Sequence, residues 1–90
     1  MIFLFEVIAA SRARKSAKKL PENYKRRIVE FLLILRENPV PAEYYDLKKL
    51  KGCADTYRAR IGDLRVIYEV LWDLKRVHVL VVERREKAYS

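Results

Sequence analysis

The chain has 90 residues, of which 51% are apolar and 36% charged, and its formal net charge is +8. A chain this short buries roughly 60–65% of the surface it exposes when unfolded, which leaves room for one core; residues 1–90 read as a single domain. The apolar share excludes disorder. The excess of 20 Lys and Arg over 12 Asp and Glu points to an anionic partner, whether RNA, DNA, a membrane surface or an acidic protein.

Residues 2–8 read as a buried strand. The apolar run is interrupted by Glu6, lacks a basic leader and is too short to span a bilayer, so neither a signal peptide nor a membrane segment is expected. Ser11 is a plausible N-cap for a short helix ending near Leu20, with Ala13, Ala17 and Leu20 on one face. Pro21 suits the first position of a second helix. There Tyr24, Ile28, Phe31, Leu32 and Leu35 recur at amphipathic spacing, and Asn38-Pro39-Val40-Pro41 ends the helix. Two helices joined only by Leu20-Pro21 predict an antiparallel helical hairpin packed on one face of a sheet. Residues 42–54 are irregular by pattern and read as a loop, with room for a short strand or helical turn.

Residues 57–68 read as two strands closed by Gly62-Asp63, a two-residue hairpin loop. In that register Ile61 faces Leu64, Arg60 faces Arg65, Ala59 faces Val66 and Arg58 faces Ile67. Alternation then places Arg58, Arg60 and Arg65 on one side of the sheet, and Tyr57, Ala59, Ile61, Val66 and Tyr68 on the other. Two arginines directly opposite each other destabilise a hairpin, so such a cluster points to a site for anionic groups, a polyphosphate backbone above all. Glu69, along the same face from Arg65, and Glu83 or Glu86 are the acids available to neutralise part of it. The first strand pair continues to Trp72, residues 73–76 turn, and residues 77–83 form the last strand. The predicted fold is α+β: an N-terminal strand, the helical hairpin, then a three-stranded antiparallel meander, with the helices on one face.

A second cationic centre lies on the helices. Residues 11–27 hold eight cations, Arg12, Arg14, Lys15, Lys18, Lys19, Lys25, Arg26 and Arg27, against one acid, Glu22. Pairing along the helix cannot account for them, which favours contact with phosphates or an acidic partner. Cys53 is the lone cysteine and His78 the lone histidine. They allow no internal disulfide and no Cys- or His-based metal site, and a reducing, cytoplasmic setting fits. Neither a metal nor a cofactor is expected.

Three segments, in order, carry a resemblance. They are Ser11-Arg12-Ala13-Arg14-Lys15-Ser16-Ala17-Lys18-Lys19-Leu20-Pro21; Leu50-Lys51-Gly52 with Tyr57-Arg58-Ala59-Arg60 and Gly62-Asp63-Leu64-Arg65-Val66-Ile67-Tyr68; and Arg85-Glu86-Lys87-Ala88-Tyr89. Over nearly its whole length the chain resembles the RelE-type toxins of prokaryotic toxin–antitoxin modules, within the wider RelE/ParE superfamily. The resemblance implies a microbial-ribonuclease-like fold and a metal-independent endoribonuclease that cuts mRNA in the ribosomal A site. It implies a cognate RelB-like acidic antitoxin, with ribosome and mRNA as further partners and no membrane.

The functional positions it implies are Arg58, Arg60, Arg65, Arg85 and Tyr89. Lys51, Arg84, Lys87, Lys18, Lys19 and Arg26 are the accompanying candidates for RNA or ribosome contact. In the implied reaction the RNA 2′-oxygen attacks the adjacent phosphorus, leaving a 2′,3′-cyclic phosphate and a 5′-hydroxyl. Arg65 and Arg85 would stabilise the charge on the nonbridging oxygens, an effect worth several kcal/mol in a preorganised site. Tyr89 would stack on a base or protonate the leaving oxygen. Some family members carry lysines where this chain has Arg58 and Arg60; arginine cannot act as a base, so the general base is unassigned. Two other readings share the composition: a ParE-like toxin acting on DNA gyrase by protein contact, and a non-catalytic basic nucleic-acid-binding module.

Overall fold

The computed structural model describes residues 4–50, 52 and 55–85; Ile2, Lys51, Cys53, Lys87 and Tyr89 lie outside them. The chain runs β1 (Glu6–Ala9), α1 (Ser11–Lys18), α2 (Glu22–Glu37), β2 (Asp46–Lys49), β3 (Asp55–Ile61), β4 (Leu64–Leu71) and β5 (Arg76–Arg84). A single 3-10 turn, Trp72–Leu74, links the last two strands. Among the described residues one sheet forms, in the order β1-β5-β4-β3-β2. The expected α+β arrangement is present, with two additions. The segment read as a loop supplies β2, a four-residue edge strand antiparallel to β3. The first strand does not join the meander's near edge but pairs in parallel with β5, Glu6 to Arg76 through Ala9 to Val79.

Helix starts differ from expectation by one residue. Ala10, in extended conformation, occupies the cap of α1, and no side chain caps it. Ser11 is already helical, and its hydroxyl accepts a 3.2 Å hydrogen bond from Arg14. Pro21 caps α2 with its carbonyl, which accepts from the Tyr24 and Lys25 amides. Its fixed φ holds the chain extended at the point where the helix begins. At the other end the Asn38 side chain accepts from the Val40 amide, closing a local turn before Pro41.

The hairpin register is the one expected, Ile61 to Leu64 through Arg58 to Ile67. Alternation sends Ala59, Ile61, Leu64, Val66, Tyr68 and Val70 to the core, where they meet Ala13 of α1 and Ile28, Phe31 and Leu35 of α2. Phe31 is fully buried. Its ring sits edge-on to Tyr45 at 4.8 Å and to Tyr68 at 5.8 Å, while Tyr57 stacks on Tyr68 at 5.7 Å. Such pairs add about 0.5–1.5 kcal/mol each beyond area burial. The buried Tyr68 hydroxyl donates to the Pro39 carbonyl at 2.8 Å, so the exit of α2 is tied to the centre of the sheet.

Far from the hairpin turn, Asp55 accepts from the Trp72 indole and pairs with Lys49 at 3.0 Å. Those contacts lower the Asp55 carboxyl and raise the Lys49 ammonium from their ordinary ranges. Burial raises the Tyr68 phenol, with the nearby Tyr57 adding to the effect. Below the ordinary phenol range of about 10 this has no effect on stability. As pH rises above it, only the unfolded chain ionises Tyr68 readily, so stability falls. We predict that Tyr68→Phe lowers neutral-pH stability by about 1–3 kcal/mol through loss of the Pro39 contact. The same variant loses less stability than wild type between pH 9 and 11. Urea unfolding across pH checks both.

Candidate active site

The cationic site is built around the turn between β3 and β4. Gly62 has φ 60°, the left-handed value that a two-residue loop with glycine first requires. A Cβ there would lie 2.8 Å from Nη1 of Arg27, so the Arg27 guanidinium lies over the turn. Asp63 fastens the turn from two sides. Its backbone carbonyl accepts from the Arg85 amide at 2.7 Å, and its carboxylate accepts from the Tyr24 hydroxyl at 3.2 Å. The Arg84 guanidinium lies over the Tyr24 ring, 4.6 Å from the centroid, a cation–π contact. Turn, α2 and the end of β5 are thereby held together.

Between them lies a cleft of about 440 Å³ lined by Arg60, Gly62, Asp63, Leu64, Arg65, Glu83, Arg84 and Arg85. Four guanidiniums face two carboxylates there. Arg60 and Arg65 are directly opposite on β3 and β4, and Arg65 is in turn opposite Glu83 on β5. Arg65 donates to the Glu83 carboxylate, and both side chains are about half exposed, at 52% and 45%. Its partner is thus Glu83, not Glu69. Among the described residues no carboxylate pairs with Arg60.

A β-bulge decides which residues of β5 face this cleft. The register slips between Ile67 and Tyr68, so Val79 opposes Tyr68, Val81 opposes Ile67, and Leu80 is the extra residue. Strict alternation from Val77 and Val79 would turn Glu83 toward the helices. With the bulge, Val82 enters the core and Glu83 turns to the arginine face.

The remaining candidates divide. Arg58 shares the face but lies outside the cleft lining; it pairs with Asp46 of β2 at 3.5 Å, is mostly buried, and leaves its Nε without a hydrogen-bond partner. Arg84 stands on the helix side, against Tyr24, and reaches the cleft from there. Lys18 and Arg26 are exposed on the helices and Lys19 just beyond α1, and none of the three lines the cleft. Lys51, Lys87 and Tyr89 fall outside the described residues. Tyr24 was expected only as a core residue of the second helix, and Arg27 only as one of the eight cations of the helical centre, not beside the hairpin turn. Tyr24 carries the helical spacing of a core residue, and nothing local marks its contact with Asp63, 39 positions away.

Residues 7–89 match the family model described as ParE toxin of type II toxin-antitoxin system, parDE. A protein of Methanocaldococcus jannaschii bearing the name RelE1 toxin is 41% identical over 86 residues, covering 96% of each chain. The chain belongs to the RelE/ParE toxin family. Among solved structures, RelE in the archaeal RelE-RelB complex from Pyrococcus horikoshii superposes with a TM-score of 0.86 at 40% identity, covering 93% of this chain and 98% of that one. A chain of the Mycobacterium tuberculosis toxin–antitoxin complex RelBE2 gives 0.77 at 29% identity, covering 94% of each. The protein is therefore a RelE-type toxin of a toxin–antitoxin system, as the resemblance implied, on the five-stranded mixed sheet of RelE structures.

The turn of this RelE-type chain has little freedom. Gly62→Ala places a side chain at positive φ, at a cost of about 1–2 kcal/mol, while the Arg27 tip is flexible enough to move aside. A fall in Tm of about 4–16 °C in calorimetry is expected.

Proposed function

We propose that this toxin is a ribosome-dependent endoribonuclease that cleaves mRNA in the A site by metal-independent attack of the 2′-hydroxyl, and so arrests translation. The observation that carries the proposal is the convergence of Arg60, Arg65, Arg84 and Arg85 on one cleft. Guanidiniums hold phosphate oxygens in pairs, and fixed on strands they need little reorganisation as charge develops on the phosphorane. Arg65 and Arg85 stabilise the nonbridging oxygens, and Arg60 holds the neighbouring phosphate. Arg58, with its unpartnered Nε, extends the row toward β2. Tyr89 completes the set as a stacking or proton-donating group, as the family resemblance implies. Lys51, Lys87, Lys18, Lys19 and Arg26 contact RNA phosphates on the message or the ribosome.

The partners in this reading are ribosome, mRNA and a RelB-like acidic antitoxin, and the site of action is the cytoplasm. Relatives of this chain crystallise as complexes with RelB or in RelBE2, which supports the antitoxin. Among the described residues no helix is long and apolar enough to cross a membrane. The family model's description keeps a second reading in view, a ParE-like toxin that contacts DNA gyrase. A cleft rich in arginine favours RNA over that reading.

Arg65→Ala with Arg85→Ala is expected to leave Tm nearly unchanged, since both side chains are exposed. Removing one such donor typically costs about 10²–10³ in rate, so the double variant should lose at least that much message cleavage. Mapping RNA 5′ ends on programmed ribosomes, with detection of 2′,3′-cyclic phosphate termini, is the measurement. Wild-type toxicity without any codon-level cuts would transfer the argument to gyrase.

A further inference from the structure

We propose that Glu83 is the proton acceptor of the cleavage reaction, a role that rests on the ribonuclease reading above. The cleft lining contains four arginines, which cannot accept a proton, and two carboxylates, which can. The two are not equivalent. Asp63 belongs to the turn itself: its carboxylate takes the Tyr24 hydroxyl on the helix side, and its carbonyl takes the Arg85 amide. Glu83 stands at the β5 end of the arginine row on the open face, directly opposite Arg65, which is directly opposite Arg60. It is there because the bulge at Leu80 turns it there.

An anion in a phosphate-binding cleft repels the ligand, so its presence calls for a role. Neutralising Arg65 is one, and it relieves the Arg60–Arg65 repulsion. The pair is half exposed, however, and such pairs contribute only about 0–1 kcal/mol. An incoming phosphodiester therefore displaces Glu83 from Arg65 at small cost. Arg65 passes to a nonbridging oxygen, and the released carboxylate is left beside the same nucleotide, where a 2′-hydroxyl needs a base.

The step balances as follows. Glu83 removes the 2′-hydroxyl proton as the O2′–P bond forms and the P–O5′ bond breaks. The departing 5′-oxygen takes a proton from water, and the protonated Glu83 returns its proton to the hydroxide so formed. No net proton is consumed. The charged groups facing Glu83 are Arg65 of β4, Arg60 of β3, Asp63 of the turn, and Arg84 and Arg85 beside it, with Arg27 of α2 over the turn.

The test compares wild type, Glu83→Gln and Glu83→Asp in single-turnover cleavage of a message on programmed ribosomes across pH. Glutamine keeps an oxygen for Arg65 but accepts no proton. Expected are a loss of about 10²–10⁴-fold in rate for Glu83→Gln, an acid limb in the wild-type profile that Glu83→Gln lacks, partial recovery in Glu83→Asp, and ribosome affinity that is unchanged or tighter. Equal or faster cleavage by Glu83→Gln, or a slower rate with the acid limb intact, would leave Glu83 a mere partner of Arg65 and overturn the proposal. A wild-type protein producing no cyclic-phosphate ends overturns the ribonuclease reading itself, and with it this inference. Circular dichroism on each variant confirms that the sheet is retained.

Discussion

Strand register is the constraint on which the molecule rests. Arg60 and Arg65 lie face to face across β3 and β4, an arrangement that costs a few tenths to about 1 kcal/mol. It persists because Ala59, Ile61, Leu64 and Val66 alternate with those arginines and are buried under the helices. Burying each larger apolar side chain contributes about 1.5–3 kcal/mol, so the core outweighs the repulsion several times over. A slip of one residue would carry the guanidiniums under α2 and the apolar set into water. The fold thus concentrates like charge on one face by strength of packing on the other.

The bulge in β5 serves the same division of labour. Upstream of Leu80, Val77 and Val79 fill the core; downstream, Val82 does. The phase change hands Glu83 to the arginine face and Arg84 to the helix face. There Tyr24 receives Arg84 on its ring and Asp63 on its hydroxyl. One extra residue therefore sets which charges meet across the cleft and which brace its wall.

What could be read from the sequence follows the range of the interactions. The hairpin and its register were legible because alternation and a Gly-Asp loop are local signals. The second helix was legible from Tyr24 through Leu35. Strand β2 was left open, as one option within a loop: Asp46-Leu47-Lys48-Lys49 offers one apolar side chain, and only pairing with β3 makes it a strand. The parallel union of β1 with β5 leaves no local trace at all. At the site, sharing a face brought Arg60 and Arg65 together on paper, but Arg58 turned out to belong with Asp46. The roles of Glu83 and Tyr24 depended on the bulge and on a contact spanning 39 positions, neither of which a periodicity can announce.

The place of β5 between β1 and β4 also orders events in time. Glu6 meets Arg76 across 70 positions of chain, and contacts so distant in sequence form late. Synthesis runs from the N-terminus, so β1, the helices and the hairpin are made before β5, the strand that joins β1 to the rest of the sheet. Among the described elements the wall that carries Glu83, Arg84 and Arg85 is the last to be made. A chain stopped short of β5 therefore leaves β1 without its neighbour in the sheet and lacks the wall that carries two of the cleft's four guanidiniums.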